Sequence, residues 1–359
     1  MNPKQVYQWY DEIRKWLPLG KWQALGLAIF SMGVVLSERS TLSKIAEKLW
    51  MIGQVGSVER RLQRWLANPR IDIRRCCEHW VRWVMSSIQD KGEIILLVDL
   101  TKISDRVDIL MVGLAYRHRC IPLAWRCLPG NQPWSDKQVH IITELLRWVS
   151  AGIPEGDIPI VEADRGIGNS SAMMEAVAKM GWYFMFRVKS STTIQLPDGS
   201  VVPLASLVAI GKPWSGEGLI FSTKHPIQAY VHLIWVKGMR EPWCLATNAP
   251  HLTHRAYAKR NWQEQSFRDL KSGGWQWQLS QVRQPDHADR LLLALTLAYA
   301  WVISLGTQAI RAGKTLRRQL VRGHRRRLSV FRLGLCYLYH LFRTHAPPSM
   351  ALFFRPALS

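Results

Sequence analysis

Two apolar runs in this chain each end at an aspartate. EIILLVDLT (93–101) is ended by Asp99, and IPIVEAD (158–164) by Asp164. Continuous runs of this kind read as strands buried on both faces. A carboxylate at the end of a buried strand costs free energy unless something meets it. Capping a turn would suffice, as would an arginine, and Arg165 directly follows Asp164. The chain between and beyond these runs decides whether the two acids are isolated or belong together.

DILMVGLAYR (108–117) and CIPLAWRCLP (120–129) follow the first run across a short basic turn, which predicts an antiparallel meander of three strands. KQVHIITELLRWV (137–149) has helical periodicity, and so has SSAMMEAVAKMG (170–181) after the second run. WYFMFRVKS (182–190) reads as another strand. Three strands, a helix, a strand, a helix and a strand is the order of an RNase H-like core. Its first acid lies on the first strand and its second just past the fourth. The expected fold is therefore α+β or α/β. Residues 91–190 form the first part of the core and 251–310 the second. A β-rich insertion at 191–250 splits them, a helical domain spans 1–90 and a basic helical region spans 311–359. The insertion carries a PDG hairpin signal and Trp214, Trp235 and Trp243. Those rings suit a core or an interface; stacking on an unpaired base at a DNA end is the alternative.

The stretch YAKRNWQEQSFRDLK (257–271) adds a third acid. On a wheel advancing roughly 100° per residue, Tyr257, Arg260 and Lys271 fall within about 40° of Glu264, and Arg268 follows one turn later on the same face. Thr253 is a candidate N-cap, and SGG (272–274) a stop. Alone, one acid in a basic stripe is an i,i+4 salt-bridge ladder. With Asp99 and Asp164 it becomes a third carboxylate for one site. Three carboxylates together repel and raise one another's pKa, a conflict that divalent cations remove. An all-oxygen donor set suits Mg²⁺ or Mn²⁺ rather than zinc.

The flanks are basic. The chain carries 48 Lys and Arg against 26 Asp and Glu, a formal net charge of +22, and at 48% hydrophobic residues it is no disordered tail. Such a charge on a folded chain calls for a polyanionic partner; a membrane surface or a ribosome would satisfy it too. TLSKIAEKLW (41–50) and SVERRLQRWLANP (57–69), with Ser57 as N-cap, resemble a helix-turn-helix. Its second helix offers Arg60, Arg61 and Arg64 to DNA or, equally, a solvated face to water. Arg325, Arg326 and Arg327 in the C-terminal region are suited to clamping a DNA backbone, with the same bland alternative. The six cysteines form no CxxC pair, which argues against zinc or disulfides and for a reducing compartment. The apolar stretches 22–36 and 291–305 fall short of the roughly 20 residues a membrane span needs, so both are expected to be core helices.

Tyr257, Arg260, Glu264 and Lys271 at these spacings, with VDLT around Asp99 and ADRGIGNS around Asp164, resemble the Tyr-Arg-Glu-Lys signature and acid motifs of bacterial insertion-sequence transposases of the insertion-sequence-four superfamily. The resemblance implies a DDE enzyme that holds two Mg²⁺ ions, with Mn²⁺ able to substitute, on Asp99, Asp164 and Glu264. It implies cut-and-paste transposition: strand cleavage, a hairpin intermediate and 3′-hydroxyl strand transfer. Tyr257, Arg260 and Lys271 would contact phosphates near the scissile bond. The implied partners are transposon-end inverted repeats, target DNA and a second copy of the chain in the synaptic complex, with no membrane and no small-molecule cofactor. The implied location is the bacterial cytoplasm, at the nucleoid. Without DNA or metal, Glu264 is expected to pair with Arg260 or Arg268. A transposase-derived DNA-binding protein without activity and another RNase H-like nuclease are the competing readings.

Overall fold

The computed structural model describes residues 3–89, 92–104, 106–130, 132–221, 225–321 and 328–356. The chain begins with α1 (Pro3–Trp16), α2 (Lys21–Ser37), α3 (Leu42–Glu47), α4 (Val55–Leu66) and α5 (Ile73–Ser86). Val58, Leu62, Trp65 and Leu66 face inward from α4, while Arg60 and Arg64 are exposed and Arg61 is partly so. The N-cap of α4 differs from the expected one. Gln54 has the extended backbone of a cap residue, which leaves Ser57 inside the first turn. Asp72 caps α5, its Oδ1 accepting from the Arg75 N–H at 3.1 Å.

The sheet then starts with β1 (Ile95–Ser104), β2 (Val107–Tyr116) and β3 (Arg119–Pro129). All three pair antiparallel, and the β2–β3 turn places Arg117 and His118 at positive φ, as a two-residue hairpin requires. After α6 (Gln138–Ser150) comes β4 (Ile160–Ala163), parallel to β1. α7 (Arg165–Gly168) and α8 (Ser171–Lys179) lead to β5 (Tyr183–Val188), parallel to β4. The order β3-β2-β1-β4-β5 is the expected RNase H-like arrangement. Asp99 does not end its strand: β1 continues to Ser104, and Asp99 sits in mid-ladder opposite Met111. The antiparallel pairing with β2 carries β1 past the acid.

The segment set apart as an insertion forms β6 (Thr193–Gln195), β7 (Val201–Pro203), β8 (Trp214–Ile220), β9 (Ile227–Ile234) and β10 (Trp243–Thr247). Its strands extend the same sheet. β10 pairs antiparallel with β5, and β9, β8, β6 and β7 follow, giving ten strands in one sheet.

The chain returns to the sheet through α9 (His254–Tyr257) and α10 (Asn261–Leu270), then runs through α11 (Pro285–Arg311), α12 (Lys314–Leu320) and α13 (Val330–Arg343). α11 is long and apolar enough to cross a membrane, yet 94% of its apolar window is buried inside the protein. It is the central core helix, packed against α2, α13 and β3. Trp9 of α1 stacks on Trp301 of α11 and meets Trp83 of α5, so the N-terminal helices share their core with the sheet.

Candidate active site

Alternation along β1 separates two faces. Leu96 and Val98 point into the main core, while Ile95 and Leu97 join a smaller cluster closed by Tyr257. Asp99 continues the Ile95–Leu97 face. On β4 the same alternation puts Glu162 on the face of Ile160, and Asp164 follows just past the strand end. The segment 254–271 covers this face. It is not the single helix its periodicity predicts: α9 and α10 are joined by a 3₁₀ turn at Ala258–Arg260. The tighter turn still leaves Arg260 one turn before Glu264, so those two side chains meet as expected.

Each aspartate uses one oxygen to fix itself and turns the other inward. Asp99 Oδ1 accepts from the Leu100 N–H at 2.8 Å. Asp164 is the N-cap of α7, its Oδ1 accepting from the N–H groups of Gly166 (2.9 Å) and Ile167 (3.2 Å). The remaining oxygens face one guanidinium. Arg260 Nη2 lies 2.9 Å from Asp99 Oδ2 and 3.5 Å from Asp164 Oδ2, and Nη1 donates to Glu264 Oε1. Three acids from three separate stretches thus converge on Arg260. Arg165 is not the partner of Asp164; it pairs with Glu241 at 2.6 Å, as does Arg187 at 2.8 Å.

Burial separates the acids. The Asp99 side chain is 10% exposed, that of Asp164 38% and that of Glu264 54%. Burial, only partly offset by Arg260, pushes the Asp99 pKa up to about 6. Glu162, which was not singled out in the sequence, is completely buried behind the site, and burial raises its pKa well above the usual carboxylate range. Its signal was its position two residues before Asp164, on the same strand face. Tyr257 is 4% exposed with its ring edge-on to Trp243, so it lids the smaller cluster. Lys271 Nζ donates to Thr101 Oγ1 at 2.6 Å and to the Lys102 carbonyl, holding the end of α10 to β1. Burial lowers its pKa. Arg268 is exposed. Arg325, Arg326 and Arg327 lie outside the described residues.

The donor chemistry fits a hard divalent cation, since all three converging groups are carboxylates. As the side chains stand around Arg260, no group of three potential ligands among the described residues is close enough together to hold a metal ion. An ion would have to replace the guanidinium.

The family model for the transposase DDE domain matches residues 114–301, more than half of the chain. The chain belongs to this family. The matched region includes Asp164 and Glu264 and begins after Asp99. Curated proteins gave no match. The transposase is thus an enzyme of insertion-sequence type that acts on DNA and depends on divalent metal, with an RNase H-like core forming one half of its mixed sheet.

Proposed function

We propose that this transposase moves its insertion sequence by cut-and-paste transposition, and that Asp99, Asp164 and Glu264 are its acid triad. The observation carrying this reading is the convergence of the three carboxylates on the Arg260 guanidinium, from β1, the end of β4 and α10. Mg²⁺ ions held by the three acids, with Mn²⁺ able to substitute, would polarise the scissile phosphate and lower the pKa of the attacking water or 3′-hydroxyl.

The chain's own residues supply the rest. Asp164 is fixed by two backbone N–H groups and Asp99 by one, so both present an oriented oxygen without rearrangement. Arg260, released from the acids, would turn to the phosphate beside the scissile bond. Arg268 lies exposed one turn beyond Glu264 and suits the same strand, while Lys271 offers charge next to Thr101. Tyr257 contributes chiefly by holding the Arg260 turn against the sheet, because its ring is buried. Arg60, Arg61 and Arg64 would contact the transposon end away from the cut. Joining two ends requires two copies of the chain in one complex, and a hairpin is the proposed intermediate of end release.

Incubating the protein and Mg²⁺ with DNA bearing the inverted repeats that flank its gene tests the reading. The expected products are nicks at the repeat boundary followed by hairpin-ended DNA. DNA that is bound but left uncut with both Mg²⁺ and Mn²⁺ would overturn it.

A further inference from the structure

Five residues of α10 face inward: Gln263, Ser266, Phe267, Asp269 and Leu270. Three of them are polar, an unusual choice for a stripe that apolar side chains would fill at lower cost. Each polar group reaches a particular partner. Gln263 Nε2 donates to the Met111 carbonyl of β2 at 3.2 Å. Ser266 Oγ accepts from the Cys120 N–H of β3 at 2.6 Å. The Asp269 carboxylate pairs with Arg119 of β3 and accepts from the Tyr299 hydroxyl of α11 at 3.2 Å.

Apolar contacts are non-directional, so an apolar stripe would let a ten-residue helix rotate or slide by a fraction of a turn. Hydrogen bonds weaken steeply when misaligned, and two to main-chain atoms with a carboxylate held by two side chains, spread along one helix, fix both rotation and translation. The choice of partner is informative. Met111 is the residue paired with Asp99 across the β1–β2 ladder. Gln263 directly precedes Glu264 in the chain. The amide therefore references the helix to the residue opposite the first acid, at the point where the third acid is presented.

We infer that Gln263, with Ser266 and Asp269 behind it, is a positioning residue that sets the register of Glu264 against Asp99. The inference rests on Glu264 serving as a metal ligand. Gln263 is fully buried, and among the described residues its Oε1 finds no hydrogen-bond donor. Stability alone would thus be served as well by an apolar side chain of the same length.

That separation supplies the test. Gln263→Met keeps the length, removes the hydrogen bond and relieves the unpaired oxygen. The expected result is an unchanged or higher melting temperature together with weaker metal use. Mn²⁺ binding, followed by electron paramagnetic resonance on the DNA-free protein, and the Mn²⁺ needed for half-maximal nicking should both worsen by about 10–100-fold, the usual effect of losing a group that orients a ligand. Ser266→Ala should add to the loss. Wild-type Mn²⁺ dependence in both assays would overturn the inference, and so would a loss that merely follows a fall in melting temperature. Glu264→Gln in the same assays separates the two layers. If it binds Mn²⁺ and nicks normally, the ligand reading fails. If it loses both and Gln263→Met loses neither, the register role alone fails.

Discussion

Arg260 is the residue on which the site turns. Its side chain is 14% exposed and sets one positive charge among three acids, easing their mutual repulsion. Removing it leaves Asp99 buried without its paired counter-charge, which costs about 1–3 kcal/mol or more for a charged group. Arg260→Ala should therefore melt at a lower temperature than wild type in metal-free buffer, and Mn²⁺ should raise its melting temperature more than it raises that of wild type. Equal Mn²⁺-induced shifts in calorimetry would show that the guanidinium and the ion do not compete for the same oxygens. The sequence already carried this pair, because Arg260 and Glu264 stand one turn apart. It did not carry the reach of Arg260 to Asp99 and Asp164, which depends on how the sheet brings β1 and β4 side by side.

At the scale of elements, hydropathy patterning was enough wherever an element is buried by its own period. The strands of the first half, α6 and α8 fall where their apolar residues place them. Patterning failed where the determinant is non-local. The extension of β1 past Asp99 depends on β2, and the five later strands form one sheet with the core only because β10 finds β5. The polar stripe of α10 was invisible for the same reason, as its partners Met111, Cys120 and Tyr299 lie far away in the chain. Close helix packing gives a test at this scale. A Cβ on Gly334 of α13 would come 1.9 Å from the Val302 carbonyl of α11, and one on Gly306 2.0 Å from the Val330 carbonyl. Gly334→Ala should push the helices apart and destabilise the fold by about 1–3 kcal/mol, measured by denaturant unfolding. An unchanged midpoint would mean the two helices are not in this contact.

Across the whole molecule, a net charge of +22 sets how DNA is held. Several hydrogen bonds tie the N-terminal helices to the catalytic half, three of them near α10 and the end of α4. Ser40 and Thr41 donate to the carbonyls of Gln276 and Leu279, just beyond α10, and Arg290 of α11 donates to the Leu66 carbonyl at the end of α4. DNA laid on Arg60 and Arg64 would thus be held at a fixed distance from the acids. If both arginines contact phosphates, Arg60→Ala with Arg64→Ala should reduce the slope of log affinity against log salt by about 2. An unchanged slope in an anisotropy titration would return those side chains to a solvated face. The assignment of the three acids has a sharper test in Glu264→Gln, which keeps size and hydrogen bonding but removes one carboxylate. Binding to end DNA and Mg²⁺-dependent cleavage should be measured on the same preparation. The prediction is binding close to wild type with cleavage abolished; metal-dependent cleavage at the wild-type rate would contradict it.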